Sequence, residues 1–441
     1  MSNLARIQAL IPAAGLSSRF WPRHKALPEP AGPGLLRLAA RNLRLAGLER
    51  LLVVTGYRGE EVKAEALALG AVAVHNPDYS LGMFSSVKAG LSALTDPPAF
   101  LILPVDAALV HPRSILALLC SWAALPPEEA GKRIFIPAWQ GRAGHPPLIG
   151  GGRLEEILRW EGEDGLRGVL ASFMGKEAGR FFRRGERPPE YLDSGAASFL
   201  DLPDPGLLCD MDSPEDLAAA APSAWAADSR PSLEEAWVML NLAGLSPEKK
   251  RHCLAVSAGA LRLILARAAS GCPADPELAL LGGLLHDLAR REKNHALAGR
   301  SGAEAMGFRL PALVIGAHTE LPPSLLPETG DMAAKAASGH PAGREYAALE
   351  PETREAILAV YLADKYYRQD RRVSLEERFA AARAFLEGDP VALAGMERRK
   401  RDALAVESWF RDKLGAEPAE LLARPSGHAW EDVLRGLAAG I

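Results

Sequence analysis

The feature that most constrains the fold is a change of pattern across residues 221–231. Before this segment, short apolar runs such as Gln8–Pro12, Leu51–Gly56 and Ala99–Asp106 alternate with helical periods, and after it only helical periods follow. Alternating strands and helices predict βαβ units around a mostly parallel sheet. The shorter run Leu207–Asp212 is expected to extend or edge this sheet as a further strand. The second pattern predicts an all-α domain, so the chain is expected to combine two folds.

The segment between the two patterns reads APSAWAADSRP, which is small, polar and bounded by proline, and we interpret it as a linker. A chain of 441 residues is too long for one hydrophobic core. The predicted organisation is an α/β domain over residues 1–220, a linker over 221–231, a helical domain over 232–390 and a C-terminal helical extension over 391–441.

Composition narrows the classes of protein that fit. Hydrophobic residues make up 48% and charged residues 24%, as in ordinary globular proteins. The net charge of -4 gives no general attraction to nucleic acid. The four cysteines are widely separated, which favours a reducing compartment over a disulfide framework or a zinc ribbon. With neither a signal peptide nor a membrane span predicted, we expect a cytoplasmic protein without nucleic-acid or membrane partners.

The first strand runs into a loop of small residues, and the segment Gln8–Lys25 reads QALIPAAGLSSRFWPRHK. Small residues let the backbone approach phosphate oxygens closely. Arg19 can form a forked contact with phosphate, and Lys25 can supply a point charge near the α-phosphate, where negative charge develops during transfer. The alternative is an ordinary tight strand-to-helix turn with two surface cations.

The segment Ile11–Lys25 resembles the opening signature of the molybdenum cofactor nucleotidyltransferase (MobA-like NTP transferase) family. The resemblance continues in order through about the first 220 residues and implies a Rossmann-like nucleotidyltransferase fold. The further blocks that carry it are Ala46–Val62, His75–Leu94, the strand ending in Asp106, Gly141–Gly150, Glu163–Leu170 and Asp210–Leu217.

The resemblance implies roles for individual residues. Arg19, Lys25 and Asp106 would act in catalysis. Mg²⁺ would bind Asp106 together with Asp212 or Asp210. Such a pair of carboxylates from separate strand ends fits the ligand preference of Mg²⁺. The alternative for Asp210 and Asp212 is helix capping. The implied nucleotide-binding residues are Ala13, Ala14, Gly15, Ser18, Thr55, Gly56, Asn76, Gly82, Ser85 and Ser86.

The implied reaction is attack by a substrate phosphate on the α-phosphorus of an NTP, with release of pyrophosphate. The Ala13-Ala14-Gly15 form is more similar to cytidylyl members than to guanylyl members, which favours CTP and a molybdopterin-like phosphorylated small-molecule acceptor. Two departures concern the acceptor: Val105–Ala108 reads VDAA where relatives have Gly-Asp-Gln-Pro, and FWPRH separates Arg19 from Lys25. A sugar-phosphate nucleotidyltransferase is the alternative.

The helical half contains a second candidate site. His286 and Asp287 follow the apolar run LALLGGLL, His252 precedes them, and further candidate ligands come later in the chain. Imidazole and carboxylate ligands from different helices suit Mn, Fe, Ni or Zn in a mononuclear or dinuclear site, in which Asp287 could bridge two ions. The predicted metal ligands are His252, His286, Asp287, His295, His318 and Asp364.

Over roughly Pro247–Leu386 this set resembles the HD-domain phosphohydrolases, whose hallmark is a distant His, a His-Asp doublet and a late Asp. The resemblance implies an all-α HD-type domain, a catalytic role for Asp287 and hydrolysis at phosphorus. His295 and His318 match the positions that complete a dinuclear site in some members. The residues that could hold substrate phosphates are Arg290, Lys365 and Arg368.

These observations favour a bifunctional enzyme that joins a magnesium-dependent nucleotidyltransferase to a metal-dependent phosphohydrolase. The altered VDAA segment supports a second hypothesis, a regulatory protein whose first domain binds a nucleotide without turning it over. A third hypothesis confines catalysis to the helical domain, either as hydrolysis or as oxygen-dependent chemistry at a di-iron site.

Overall fold

The computed structural model describes residues 3–17, 24–28, 34–192, 195–211, 216, 230–327, 345–439 and 441. The chain divides into two compact units, Met1–Ala226 and Ala227–Ile441. The division falls inside the segment that we interpret as a linker, of which only residues 230 and 231 are described.

The N-terminal unit is built on an eight-stranded sheet with the order β3-β2-β1-β4-β7-β5-β6, and β8 pairs with β5. Strands β1, β2, β3 and β4 are mutually parallel, whereas β7 is antiparallel to both β4 and β5. The strands are β1 Gln8–Pro12, β2 Arg50–Thr55, β3 Val72–His75, β4 Ala99–Ile102, β5 Ile134–Trp139, β6 Arg142–Ala143, β7 Leu148–Gly150 and β8 Ala197–Asp201.

The sheet is an α/β arrangement of the predicted, mostly parallel kind, and β1 lies inside it between β2 and β4. Leu10 of β1 pairs with Leu52 on one side and Ile102 on the other, and all three side chains are buried. Burial on both faces explains why these strands read as continuous apolar runs. The helices are α1 Gly34–Leu45, α2 Gly59–Ala68, α3 Met83–Leu91, α4 Pro112–Ala123, α5 Pro127–Ala130, α6 Leu154–Leu158, α7 Gly165–Phe173 and α8 Lys176–Arg183.

One predicted strand is wrong. The run Leu207–Asp212 does not join the sheet in its described part, because it begins within a 3₁₀ turn over Pro205–Leu208. Asp204 caps this turn by accepting a hydrogen bond from the Gly206 N–H. A Cβ on Gly206 would lie 2.4 Å from the Leu109 carbonyl oxygen, so this close contact requires glycine.

The second unit is helical, as predicted, apart from one short hairpin among its described residues. The hairpin pairs β9 Tyr367–Arg368 with β10 Arg371–Arg372. The helices are α9 Leu233–Leu242, α10 Pro247–Ala269, α11 Pro276–Leu285, α12 His295–Ala305, α13 Arg309–Ala317, α14 Pro351–Tyr366, α15 Leu375–Phe385, α16 Pro390–Leu414, α17 Pro418–Ala423 and α18 Ala429–Ala439.

Helices α10, α11 and α14 pack around one hydrophobic core. Helix α10 is long and apolar enough to cross a membrane by length and composition, and 61% of that apolar window is buried inside the unit. A Cβ on Gly283 of α11 would lie 2.6 Å from the Ser257 Cα of α10. Glycine at this contact lets the two helices approach closely, which brings the end of α11 next to the start of α10.

Candidate active sites

The loop that follows β1 is held against the end of β2 by backbone hydrogen bonds. The Ala13 N–H donates to the Val54 carbonyl at 2.9 Å, and the Tyr57 N–H donates to the Ala14 carbonyl at 3.1 Å. A Cβ on Gly56 would lie 2.8 Å from the Ala14 carbonyl oxygen, whereas a Cβ on Gly15 would meet no atom within 4 Å. Gly56 therefore permits the close approach of the two loops, and Gly15 borders open space.

His24 closes this loop and is 2% exposed. Its Nδ1 accepts a hydrogen bond from the Ala26 N–H at 3.3 Å, so Nε2 carries the proton and donates to the Gly15 carbonyl at 3.2 Å. Burial lowers the pKa of His24 below its ordinary value, and the nearby charges of Arg58 and Lys25 lower it further. The neutral ring therefore connects Gly15 to the residues around Lys25.

Lys25 and Asp106 meet although they are far apart in the sequence. The Lys25 Nζ lies 2.9 Å from Asp106 Oδ2, and the two side chains are 13% and 18% exposed. Asp106 follows β4, the neighbour of β1, so the parallel strands bring both residues to one edge of the sheet. The predicted partnership of loop and carboxylate is thus present in the structure.

Residues predicted to hold the base and ribose form a second group beyond β2 and β3. The Asn76 Nδ2 donates to Ser85 Oγ at 2.9 Å and to Ser86 Oγ at 3.0 Å, and Asn76 is buried. Thr55 Oγ1 lies 3.3 Å from His75 Nδ1. Gly82 has a φ of +102° and an open Cβ position. In this structure Asn76 fixes the turn before α3, and Gly82 supplies the backbone conformation that the turn needs.

A cleft of about 430 Å³ opens beside Asp106. The Met211 N–H donates to the Asp106 carbonyl at 2.9 Å, which places Asp210 on the same cleft as Asp106. Ser18, Arg19 and Asp212 lie outside the described residues, so of the two alternative magnesium ligands only Asp210 can be placed.

Sequence reasoning did not assign His145 and Arg167 to this cleft, although both line it. His145 follows Gly144, for which a Cβ would lie 2.4 Å from the Leu207 carbonyl oxygen. Burial lowers the pKa of His145 below its ordinary value, although Asp210 and Asp106 raise it. The Gly-His-Pro sequence is the available signal, and by itself it indicates no more than an ordered loop.

In the helical unit all six predicted metal ligands come together. His252 lies on α10, His286 and Asp287 directly follow α11, and Asp364 lies on α14. The His252 Nε2 is 3.3 Å from the His286 Nε2 and 3.2 Å from Asp364 Oδ1. At the other end of the cluster, the His295 Nε2 is 3.2 Å from the His318 Nε2.

Three of the histidines have a defined tautomer. The Nδ1 atoms of His252, His286 and His318 lie 2.7, 2.7 and 2.6 Å from the backbone carbonyls of Gln369, Gly283 and Ile315. A carbonyl can only accept, so each Nδ1 carries the proton and each Nε2 presents a lone pair to the cluster. Lone pairs that face each other repel unless a cation lies between them, and this arrangement fits metal binding.

Asp287 belongs to two candidate metal-binding triads, one with His252 and His286 and the other with His295 and His318. Its Oδ1 lies 3.3 Å from the His295 Nε2 and 3.6 Å from the His318 Nε2, while Oδ2 lies 3.9 Å from the His286 Nε2. One carboxylate thus presents a different oxygen to each triad. This is the geometry in which Asp287 would bridge two ions.

The pKa of His286 is lowered to about 4, chiefly by burial and also by neighbouring His318 and His252, although Asp287 and Asp364 act to raise it. Burial alone would raise the pKa of Asp287, but the imidazoles around it hold that pKa well below its ordinary value. Neutral imidazoles and ionised carboxylates are the protonation states that bind metal ions.

Lys365 is turned toward the cluster. Its Nζ donates to Asp364 Oδ2 at 2.7 Å and to the His318 carbonyl at 2.9 Å, and the residue is 6% exposed. We predicted that it could hold substrate phosphate. Lys365 lines the cleft, and its contact with Asp364 Oδ2 leaves Asp364 Oδ1 directed at His252.

The cluster opens into a cleft of about 630 Å³. Arg290 and Arg368, which we predicted to hold phosphate, both line it. The Arg290 Nη1 lies 3.0 Å from the His295 Nε2. Further cations on the cleft are Lys249, Arg378 and Arg399. Together these side chains place positive charge around the two carboxylates of the cluster, Asp287 and Asp364.

Residues 9–178 match the family described as the MobA-like NTP transferase domain, and this part of the chain is such a domain. The chain is 37% identical over 99 residues to the molybdenum cofactor cytidylyltransferase of Escherichia coli (strain K12). That alignment covers 22% of this chain and 50% of the relative, so the chain spans half the length of the curated protein it matches.

Two solved structures align with about half of this chain at low sequence identity. A nucleotidyl transferase from Methanothermobacter thermautotroptrophicus aligns with a TM-score of 0.37 at 19% identity, over 48% of this chain and 94% of that chain. The 2-C-methyl-D-erythritol 4-phosphate cytidylyltransferase from Thermus thermophilus aligns with a TM-score of 0.33 at 18% identity, over 48% of this chain and 95% of that chain.

Proposed function

We propose that the chain is a bifunctional enzyme, with a nucleotidyltransferase in the N-terminal unit and an HD-type metal-dependent phosphohydrolase in the helical unit. For the transferase, the observation that carries the proposal is the pairing of Lys25 with Asp106 at 2.9 Å inside the MobA-like domain. For the phosphohydrolase, the observation that carries the proposal is the close grouping of histidine Nε2 atoms with the carboxylates of Asp287 and Asp364.

In the transferase reaction an oxygen of the acceptor phosphate forms a bond to the α-phosphorus of the NTP. The bond from that phosphorus to the bridging oxygen breaks, and pyrophosphate leaves with the electron pair. Lys25 stabilises the charge that develops on the α-phosphate, and the loop around Gly15 positions the phosphates. Mg²⁺, when bound, would supply further charge neutralisation, and Asp106 with Asp210 or Asp212 would hold it.

The acceptor enters the cleft beside Asp106 in this proposal. Arg167 and His145 offer hydrogen-bond donors to an acceptor phosphate, and Phe84 and Phe182 provide apolar surface on the same cleft. The name of the Escherichia coli relative supports CTP as the nucleotide and a molybdopterin-like compound as the acceptor. A sugar phosphate is the alternative acceptor. Only the molybdopterin-like compound has a flat ring that Phe84 and Phe182 would contact.

Release of pyrophosphate tests the transferase. The full chain with Mg²⁺, each NTP in turn and a panel of phosphorylated acceptors is expected to release pyrophosphate, most with CTP, and the Asp106→Asn variant is expected to release none. Asp96→Asn is the matched control, since Asp96 is an exposed carboxylate of the same unit. Tight NTP binding without pyrophosphate from any acceptor would support the regulatory alternative instead.

In the phosphohydrolase reaction the oxygen of a water molecule bonds to phosphorus, the bond to the leaving group breaks, and the leaving oxygen takes up the proton that the water loses. The ions, Mn, Fe, Ni or Zn, would activate the water when bound. His252, His286, His295, His318, Asp287 and Asp364 would hold them. Arg290 and Arg368 would bind the phosphate oxygens, and Lys365 would orient Asp364.

Metal analysis followed by a phosphatase and phosphodiesterase screen tests this second activity. The purified chain is expected to retain a divalent transition metal, and His286→Ala is expected to lose both metal and hydrolysis. Wild-type metal content and hydrolysis in His286→Ala would refute the assignment. Oxygen consumption by an iron-loaded chain that hydrolyses no phosphate would favour oxygen-dependent chemistry instead.

A further inference from the structure

One wall of the metal cleft is formed by a helix that supplies none of the predicted ligands. Helix α15 presents Arg378, Ala381, Ala382 and Phe385 to the cleft. The last three positions follow Arg378 by three, four and seven residues, so the four form one stripe along a single helix face. The stripe has a cation at one end, small side chains in the middle and an aromatic ring at the other end.

The cationic end of the stripe lies near the predicted ligands. The Arg378 Nη1 donates to the Tyr367 carbonyl at 3.3 Å, three residues beyond Asp364. A second arginine on the cleft, Arg399, is held from the other side, because the Tyr361 hydroxyl, three residues before Asp364, donates to its carbonyl at 3.1 Å. Both arginines line the cleft that contains Asp364, and their contacts lie three residues to either side of it in the chain.

The aromatic end lies two helical turns away. Seven residues of α-helix correspond to roughly 10 Å. Phe385 is 88% exposed, so it buries little apolar surface within the protein. Between the two ends, the small side chains of Ala381 and Ala382 leave space in the cleft for a ligand. A ligand that spans the stripe would place an anionic group at Arg378 and an apolar or planar group against Phe385.

We propose that Phe385 and Arg378 determine the specificity of the helical site for a phosphate ester or anhydride whose leaving group carries a planar ring. The proposal rests on the phosphohydrolase function proposed above and names its substrate class. Arg378 and Arg399 bind the phosphates of the leaving group, and the ring stacks on Phe385. Inorganic polyphosphates and simple sugar phosphates lack the group that Phe385 would recognise.

Tryptophan fluorescence tests ring stacking at this position without any turnover. The full-length Phe385→Trp variant is titrated with ATP and with inorganic tripolyphosphate after removal of metal by a chelator. The signal is the tryptophan emission of the variant minus that of the wild type. ATP is expected to quench this difference, and tripolyphosphate is expected to leave it unchanged. Val391→Trp is the matched control, because Val391 is 83% exposed at the start of the next helix. Equal responses to the two ligands, or none, would overturn the proposal.

Steady-state kinetics of the metal-loaded chain provide the second readout. Phe385→Ala is expected to raise KM for ATP about tenfold and to leave kcat and tripolyphosphate hydrolysis unchanged, and Phe385→Tyr is expected to restore the wild-type KM. An equal rise in KM for both substrates would contradict ring recognition. If His286→Ala retains metal and hydrolysis, the phosphohydrolase assignment fails by itself, whereas the fluorescence result still decides whether a ring binds at Phe385.

Discussion

The two candidate sites differ in how completely the protein alone assembles them. In the helical unit the predicted ligands are mostly buried, and backbone carbonyls fix the rings of His252, His286 and His318. At the candidate site of the N-terminal unit, the described residues provide a backbone cradle and an ion pair between Lys25 and Asp106. A metal ion needs ligands held in advance, whereas a nucleotide brings several phosphate oxygens and a base of its own.

The difference has a physical origin in the two scaffolds. Packed helices place side chains from separate parts of the chain against one another in the core. The rings of His286 and His318 are oriented by the helix ends that carry them, and the ring of His252 is oriented by the Gln369 carbonyl of the hairpin. A parallel sheet instead brings loops together at one edge, where the backbone is exposed and side chains remain accessible. Substitutions should therefore act on metal retention in one unit and on turnover in the other.

The largest effect is expected from Asp287→Asn. Because Asp287 takes part in both metal-binding triads, its loss should reduce bound metal to background and abolish hydrolysis, while pyrophosphate release by the other unit continues. Metal analysis of the purified variant gives the result directly. Asp370→Asn is the control, since Asp370 pairs with Arg251 on the surface of the same unit. Retention of full metal content would break the comparison.

The next largest effect is expected from Lys25→Ala. Removal of a cation that faces the developing charge should reduce kcat for pyrophosphate release by about 10²–10³-fold. The KM for NTP should change less, because the loop backbone still holds the phosphates. Lys63→Ala, which removes a half-exposed lysine of the same unit, should leave both constants unchanged. A loss confined to KM would show that Lys25 binds substrate without acting on the transition state.

Lys365→Met should have a smaller effect that is specific to metal retention. Lys365 Nζ donates a hydrogen bond to Asp364 Oδ2 and so orients this predicted ligand. Loss of such a partner typically lowers metal affinity by about 10–100-fold. Competition with a chelator measures the change. If Lys365 instead holds substrate phosphate, metal affinity would remain at the wild-type value and only the KM of the hydrolase would rise.

The smallest effect is expected at His24, and it depends on pH. His24→Gln keeps a donor for the Gly15 carbonyl and loses the acceptor for the Ala26 N–H, so the free energy of unfolding should fall by about 1 kcal/mol at neutral pH. Because the folded-state pKa is lowered, the neutral ring stabilises the protein fully above the ordinary pKa of 6.5.

This stabilisation should be lost as the pH falls from 6.5 toward the lowered pKa of His24, where the unfolded chain binds a proton that the folded ring excludes. Chemical denaturation of wild type and His24→Gln across this range should show the two stabilities converging at lower pH. A constant difference between them would assign the contribution of His24 to packing against Tyr57 rather than to its hydrogen bonds.

Local patterns were enough to predict most of the elements. Strand Gln8–Pro12 and helix Leu233–Leu242 begin and end where their apolar periods do. The run Leu207–Asp212 was assigned wrongly because apolar residues are equally suited to a buried turn, and the Asp204 cap with its neighbouring proline decided the conformation. The hairpin at Tyr367–Arg372 escaped prediction because each strand has only two residues.

The predicted site residues show the same limit. Chain order and residue chemistry indicated the six candidate ligands that the helical unit brings together, since His and Asp at helix ends are informative by themselves. The contact of Lys365 with Asp364 and the placement of His145 on the cleft were missed, because neither follows from residue type. Both depend on neighbours that are distant in the chain.

The sequence by itself determined which chemical groups the protein has and which elements carry them, because secondary-structure periodicity and ligand chemistry are local properties. Only the tertiary structure decided which of these groups meet. Parallel pairing of β1 and β4 brings Lys25 to Asp106, and the close contact of Gly283 with Ser257 brings His286 to His252. Such contacts result from packing between distant segments, which no local pattern encodes.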